Sequence, residues 1–428
     1  MLLHNKNKLI KRLFIVAMLT VFSFNINLND AEALDYFMPV STPNTVGPGA
    51  RAHGMGGAFM VVADDGTSAY WNTACLNNLI NKEFSLVTDF THRIENNDFK
   101  TNPTETDLQT VSQLDLNHIS YSQPFSSKLF YIFPKAHHVL SINFLKQYSF
   151  SQKWDFIRKI QSNDIMVYDD IDYKCEGKLS TIGIAYSLMI RENISIGIML
   201  NIWNSSVTNN QWEKTSYQEC IRNNKIIEQA LANETYDFNG YNANLGLLWQ
   251  NIFNSDGLYK INLGFILKTP FNADIDRTYS LVTSNGYKEV VKKQEVMKMP
   301  VSYGIGTALV SNDFNYALDM YYTKWNDFCD TNPTLVIRMG TEYLYKRNNY
   351  VIPFRSGLYY DETPAKGTTD IYYGITLGTG IEFIDKYAFD VAYQFRYANN
   401  VGSSILESMG FSQDVREHTI YTSMIIYF

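Results

Sequence analysis

Ile182-Gly183-Ile184-Ala185-Tyr186-Ser187-Leu188-Met189-Ile190, then Arg191-Glu192-Asn193, then Ile194-Ser195-Ile196-Gly197-Ile198-Met199-Leu200-Asn201-Ile202 alternates with period two on both sides of a short polar break. Period two is the side-chain period of a β-strand. The even positions carry Ile, Leu or Tyr; the odd positions carry Gly, Ala, Ser, Met or Asn. A turn about Glu192 sets Ile190 opposite Ile194 and Leu188 opposite Ile196, so both apolar rows share one face of an antiparallel hairpin. A wall that is apolar outside and small or polar inside suits contact with lipid.

The pattern recurs. Tyr387, Phe389, Val391, Tyr393, Phe395 and Tyr397 form one row, backed by Ala388, Asp390, Ala392, Gln394, Arg396 and Ala398. Ile261, Leu263, Phe265 and Leu267 form another. Strands are expected over 82–92, 114–122, 138–150, 178–190, 194–206, 236–250, 258–283, 286–310, 313–326, 333–347, 350–361, 370–383, 387–398 and 416–428. This predicts an all-β fold, a transmembrane antiparallel barrel of about 14 strands, even-numbered as bacterial barrels are. A secreted β-sandwich also alternates, but it does not put six aromatic or branched residues on one outward row.

Connections sort into two sets. Residues 191–193, 251–257, 311–312, 348–349 and 384–386 are short; 151–177, 207–235, 362–369 and 399–415 are mostly longer. Short periplasmic turns and long outer loops are the barrel arrangement. The stretch 218–232 reads as partly helical and is expected to cap the outer mouth. Asn348-Asn349 suits a two-residue turn, because Asn tolerates left-handed backbone. Pairing Arg347 with Tyr350 then sets Glu342 opposite Arg355, Gly340 opposite Gly357 and Arg338 opposite Tyr359, with Glu342 and Arg355 paired on the lumen side.

The two ends agree with export and insertion. Lys6, Lys8, Lys11 and Arg12 precede the apolar run Leu13–Phe24, and Ala31-Glu32-Ala33 gives a small-x-small cleavage pattern, so residues 1–33 read as a signal peptide. After it, no run of about 18 apolar residues can cross a membrane as a helix. Ile420, Thr422, Met424, Ile426 and Phe428 alternate up to a terminal aromatic. This end resembles the C-terminal signal of outer-membrane barrels, which makes Ile426 and Phe428 an insertion signal and the barrel-assembly machinery a partner during biogenesis.

Composition narrows the function. There are 30 Tyr, 26 Phe and 6 Trp at a mean hydropathy of −0.20, which an alternating barrel reconciles. The net charge of −7 argues against nucleic acid, which wants a basic stripe. No nucleophile elbow, HExxH, P-loop or CxxC occurs, so no enzyme, cofactor or metal is expected. His137-His138 reads as solvated, and Asp169, Asp170 and Asp172 as a solvated acidic loop. Cys75, Cys175, Cys220 and Cys329 allow three pairings or free thiols; Cys175 with Cys220 is the favoured pair.

Residues 34–80 do not alternate. They contain Gly47-Pro48-Gly49-Ala50-Arg51-Ala52-His53-Gly54-Met55-Gly56-Gly57-Ala58-Phe59, then Ala63-Asp64-Asp65-Gly66-Thr67-Ser68-Ala69-Tyr70-Trp71-Asn72-Thr73-Ala74-Cys75-Leu76. Glycines and small residues permit tight turns and close backbone approach, and Asp64, Asp65 and Asn72 form turns by bonding nearby backbone. Here the chain resembles the FadL-type outer-membrane transporters of long-chain fatty acids and aromatic hydrocarbons, and their PorV-like relatives. Their N-terminal hatch has a glycine-rich stretch, an Ala-Asp-Asp step and an aromatic-Asn-Pro-Ala-Gly-Leu element, whose Pro and Gly are Thr73 and Cys75 here. The resemblance continues at Lys298-Met299-Pro300-Val301-Ser302-Tyr303-Gly304-Ile305-Gly306, at Trp325-Asn326-Asp327-Phe328 and at Arg355-Ser356-Gly357-Leu358-Tyr359-Tyr360-Asp361-Glu362-Thr363-Pro364.

The resemblance implies a hatch over 34–80 inside a barrel formed by 81–428. Gly54, Gly56, Gly57, Asp64, Asp65, Trp71, Asn72 and Ala74 are the implied hatch residues. It also implies outer-membrane transport of a hydrophobic small molecule, in contact with outer-membrane lipid, with a PorV-like component of a protein secretion system as the alternative. Ligand is expected among apolar side chains of the outer lumen, below 151–177 and 207–235.

Overall fold

The computed structural model describes residues 44–99, 108–127, 136–162, 165–222, 225–255, 259–325, 331–365, 368–383, 386–403 and 410–428. Residues 1–33, 34–43, Asn326–Phe328 and Cys329 lie outside these, so the signal-peptide reading and part of the hatch reading concern undescribed residues.

The wall has fourteen strands: β1 Glu83–Phe99, β2 Gln109–Ser127, β3 Ala136–Ser162, β4 Ile165–Arg191, β5 Ile194–Trp203 resuming as Gln211–Arg222, β6 Lys225–Trp249, β7 Tyr259–Lys268 resuming as Phe271–Thr283, β8 Lys288–Met299 resuming as Ser302–Val310, β9 Phe314–Thr323, β10 Thr334–Lys346, β11 Tyr350–Ala365, β12 Thr368–Phe383, β13 Tyr387–Val401 and β14 Phe411–Tyr427. All neighbours are antiparallel. The ring closes where β14 pairs with β1, from Phe411 opposite Phe99 to Tyr427 opposite Glu83.

The burial pattern follows the alternation. Along β13, Tyr387, Phe389 and Tyr393 are exposed while Ala388, Asp390, Ala392, Gln394 and Arg396 are buried. Inward charges thereby avoid lipid, where each costs about 2–4 kcal/mol at mid-depth. Leu188 stands opposite Ile196 as expected, but Arg191, not Ile190, meets Ile194, because the ladder slips beside the turn. The β10–β11 register matches the sequence reading, with Glu342 opposite Arg355, Gly340 opposite Gly357 and Arg338 opposite Tyr359, and the Arg347 amide donates to the Tyr350 carbonyl at 2.9 Å.

Several expectations are corrected. The stretches 151–177 and 207–235 are not loops, and 218–232 is not helical: β3 and β4 pair out to Ser162 and Ile165, and β5 and β6 to Arg222 and Lys225. Their inner rows, such as Trp154, Tyr173, Trp212 and Tyr236, pack on one another and sustain the strands beyond the rim. The spans 258–283 and 286–310 each break in two, at Thr269-Pro270 and Pro300-Val301, since proline offers no amide to a ladder. Cys175 is buried. It stands opposite Lys214, whereas Cys220 stands opposite Asp169, six rungs away, which excludes the favoured disulfide. His137-His138 is not solvated: His138 is buried against Phe125 and bonds the Tyr186 hydroxyl at 2.6 Å, and His137 bonds the Leu79 carbonyl at 3.0 Å.

One pair of neighbours is joined over half its length. β2 and β3 pair from His118–Leu145 to Ser127–Ala136. Beyond that point Gln109–Leu116 pair with β1 and Lys146–Ser162 with β4. Extra residues, Asn117 against β1 and Gln147 against β4, mark the parting. Bulges of this kind bend strands and end pairing.

Candidate functional site

Residues 46–79 fold as short turns rather than strands. A single helical turn α1 (Ala50–Gly54) leads into Gly56 and Gly57, whose φ of 66° and 75° suit glycine. The Asp65 carboxylate accepts from the Thr67 amide at 2.8 Å and from its hydroxyl, which starts α2 (Ser68–Trp71). Asn72 then caps the 3₁₀ turn Thr73–Asn78 by accepting from the Ala74 amide at 3.1 Å. These are the local side-chain bonds that replace a ladder in irregular chain.

This segment is bonded to inward-facing positions around the ring. The Ala50 amide donates to Ser423, and the Gly56 amide to Thr376, whose hydroxyl donates to the Gly54 carbonyl at 3.0 Å. The amides of Phe59 and Met60 donate to one carboxylate oxygen of Asp319 at 2.7 and 2.8 Å. Asn72 donates to the Leu247 carbonyl at 3.1 Å, and Ser187 donates to the Ala74 carbonyl at 3.1 Å. Wall glycines make room for it: a Cβ on Gly357 would meet the backbone of Met55 and Gly56, and one on Gly378 would meet Gly54. Trp71 is buried and donates to the Pro48 carbonyl at 2.9 Å.

A chain of charges ties the segment to the wall. Arg51 pairs with its own Asp64 and forks onto both oxygens of Glu342 at 2.9 and 3.0 Å. Glu342 also accepts from Arg355 at 2.7 Å and from Asn315 at 2.7 Å, and Arg355 continues to Asp390 at 2.5 Å. Glu342 and Arg355 are fully enclosed. The pairing of Glu342 with Arg355 follows from the register; Arg51 and Asp319 do not, since their partners are fixed only when the segment is in place. An inward Asp in alternating β9, and a lone Arg in a glycine-rich run, were the available signals. Burial pushes the His53 imidazole down to about 4, between the Gly47 carbonyl and Gln394 and stacked on Tyr421 at 3.7 Å. Phe428 ends the wall exposed, its amide on the Lys82 carbonyl at 2.9 Å, with Ile426 opposite Phe84.

Above the segment, toward the end with the longer strands, lies a cavity of about 150 Å³. Charged and aromatic residues line it, among them Lys268, Arg338, Tyr359, Arg396 and Tyr421. Lys268 sits over the Tyr70 ring at 4.0 Å and Arg338 over Tyr359 at 5.4 Å. Among the described residues neither forms an ion pair. Beside the cavity, Phe150, Trp203, Trp212, Phe238, Met299 and Trp325 form part of a buried cluster. β3 serves both, giving Phe150 to the cluster and Ser149 and Ser151 to the cavity.

Fold and lumen define a β-barrel of the outer-membrane type, and its fold is that of the FadL-type channels. No protein-family model and no curated sequence matches the chain. Among solved structures it is similar to a Pseudomonas aeruginosa FadL homologue, at 14% identity and TM-score 0.61, covering 91% of this chain and 99% of that one. It is likewise similar to the toluene transporter TodX of P. putida, at 13% identity, TM-score 0.57 and coverage of 90% and 99%. The Ralstonia pickettii toluene transporter TbuX follows at 11%, 0.53, 90% and 99%.

Proposed function

We propose that this barrel sits in the bacterial outer membrane, exported by residues 1–33, and carries hydrophobic compounds through a lumen that residues 34–80 block. The observation that carries this reading is the junction of two surfaces above that segment. One is the aromatic part of the cavity lining, Tyr70, Trp71, Tyr321, Tyr359 and Tyr421; the other is its two cations, Lys268 and Arg338, which form no ion pair among the described residues. Burial of apolar surface contributes about 25 cal/mol per Å², so the aromatic wall takes an apolar body. Lys268 and Arg338 take an anionic head. The ligand class that satisfies both is an amphiphile of the fatty-acid kind rather than a bare hydrocarbon. The similar structures, a FadL homologue and a toluene transporter, agree with a hydrophobic cargo.

Mass spectrometry of extracts from purified protein tests the cargo, and bilayer conductance tests the block. A long-chain carboxylate is expected to co-purify and to be lost in Lys268→Met/Arg338→Met. Deleting 34–80 is expected to raise conductance sharply. Neutral hydrocarbon retained equally by both proteins, or ligand held only on the outer wall, overturns the cargo assignment. A folded deletion with unchanged conductance overturns the block.

A further inference from the structure

The outward face of β13, β14, β1 and β2 carries a guanidinium and two imidazoles on a wall whose lipid-facing row is otherwise apolar or aromatic in the main. Three rungs cross these strands directly. The upper one holds Tyr397, Arg416, Ile94 and Thr110, the next Phe395, His418, His92 and Ser112, and the lower one Tyr393, Ile420, Phe90 and Leu114. On β14 the alternate residues Val415, Glu417 and Thr419 are buried, whereas Arg416 is exposed and His92 and His418 are half-buried, so all three point outward. Their height follows from the strand ends. Arg416 stands twelve residues above Phe428, and His92 nine above Glu83; a tilted strand crosses hydrocarbon in about 9–11 residues. The three polar groups therefore lie where hydrocarbon gives way to head groups at the outer surface. Ile420, Phe90 and Leu114 form an exposed apolar rung beneath them.

The imidazoles are held in place. His418 bonds the Tyr393 hydroxyl through Nδ1 at 2.7 Å and packs on Phe395 with ring centroids 5.1 Å apart. His92 bonds the Ser112 hydroxyl through Nδ1 at 2.8 Å. A phenol is a stronger donor than a neutral imidazole, so Tyr393 donates and the proton of His418 sits on Nε2; Ser112 does the same for His92. The second nitrogen of each ring is then an N–H donor. The two bonded hydroxyls lie on opposite sides, on β13 and β2, so the rings lean apart about the β14–β1 junction below Arg416. Among the described residues Arg416 forms no ion pair. Asp414, the next outward residue up β14, accepts from the Asn400 amide at 2.8 Å.

We propose that Arg416, His418 and His92 form a docking site on the outer wall for a phosphomonoester lipid of the surrounding leaflet. Charge and polarity choose this occupant. Arginine binds phosphate oxygens through two parallel N–H groups, and the imidazoles add two neutral donors. A phosphomonoester offers three acceptor oxygens and a charge of about −1.5 to −2 at pH 7. A zwitterionic phosphodiester offers less charge and brings its own cation. A head on this triad lays its acyl chains down over Ile420, Phe90 and Leu114, the direction a lipid of the outer leaflet takes. The lipid then spans β14 and β1, the last and first strands of the ring. The site rests on the membrane reading of the barrel and is independent of what the lumen carries.

The test is native mass spectrometry of the full-length barrel titrated with dioleoyl phosphatidic acid or with dioleoyl phosphatidylcholine. The parent is expected to bind one phosphatidic acid about tenfold more tightly than phosphatidylcholine, and Arg416→Gln to abolish most of that preference, as loss of a charged hydrogen bond implies. His92→Leu/His418→Leu is expected to weaken phosphatidic acid and leave phosphatidylcholine unchanged. All three side chains are on the outer wall, so the variants keep the barrel, which circular dichroism checks. A folded Arg416→Gln with the parent preference overturns the site. Excess inorganic phosphate that strips the lipid from the parent assigns the triad to free phosphate and overturns lipid docking. Zinc held by the parent and lost in the double histidine variant, with no preference for phosphatidic acid, overturns it in favour of a metal site. Insertion into phosphatidylcholine vesicles is read separately: a chain that does not insert refutes the membrane reading, whereas an inserted barrel without the preference refutes the docking site alone.

Discussion

Two arcs of the ring are built on different terms. β10 and β11 pair from Val336–Asp361 to Lys346–Val351 without a slip, and their inward glycines and charges receive the N-terminal segment. β2 and β3 part halfway, and the same segment meets them with a strip of extended chain at Asn44–Thr45 and an ion cluster. The segment is gripped by one arc and substitutes for missing wall at the other. Closure of a barrel wall and anchorage of what lies inside it are therefore separable properties.

The largest expected effect breaks the grip. Glu342→Ala takes the shared carboxylate from Arg51 and Arg355 and leaves each a single partner, Asp64 and Asp390; removing one member of a buried ion cluster costs up to about 3–5 kcal/mol. The expected outcome is a protease-sensitive N-terminal segment and raised conductance, with β2–β3 distances unchanged. A parent-like conductance and unfolding midpoint would show that Glu342 does not hold the segment. Next comes Gly357→Val, which puts a side chain where the backbone of Gly56 lies; overpacking of this kind costs about 1–3 kcal/mol. Ser356→Val, one residue away and exposed on the other face, is the control and is expected to change little. Equal proteolysis of the two variants would remove the glycine saddle from the account.

The same contrast separates what could be read in the sequence from what could not. The β10–β11 arc was legible because alternation, an Asn-Asn turn and opposed charges agree on one register. The parting of β2 from β3 was not: an extra residue at Asn117 or Gln147 leaves no trace in a period-two pattern, since either strand reads well alone. Rim extensions such as Lys174–Asp172 against Lys153–Asp155 looked like loops because their outward row is charged, although Trp154 and Tyr173 on the inner row were the strand signal. Within the lumen, Trp71, Asn72 and Asp65 were recognisable as turn formers. The docking partners Asp319 and Arg51 depend on a three-dimensional fit that no local pattern encodes.

The smallest expected effect sharpens the comparison at the foot of the β1–β2 arc. Asp65 is buried beside Asp64, and the neighbouring Gly66 amide donates to Glu83 at the start of β1. Burial first, and the charge of Asp64 second, push the Asp65 carboxyl up to about 6 from an ordinary 3.8. Its proton is thus held more tightly in the docked segment than in a released one. Stability from this group is fully present below the ordinary value and is lost as pH rises through about 6. The loss amounts to about 1–3 kcal/mol at most, since each tenfold difference in proton affinity corresponds to about 1.4 kcal/mol. Asp65→Asn keeps an oxygen that accepts from Thr67 and removes the titration. Between pH 5 and 7.5 the parent is expected to show increasing conductance or proteolysis of the segment, and Asp65→Asn a flat profile at the low-pH level. Parallel profiles for the two proteins would place the pH response elsewhere and leave the foot of β1–β2 as passive as the rest of the wall.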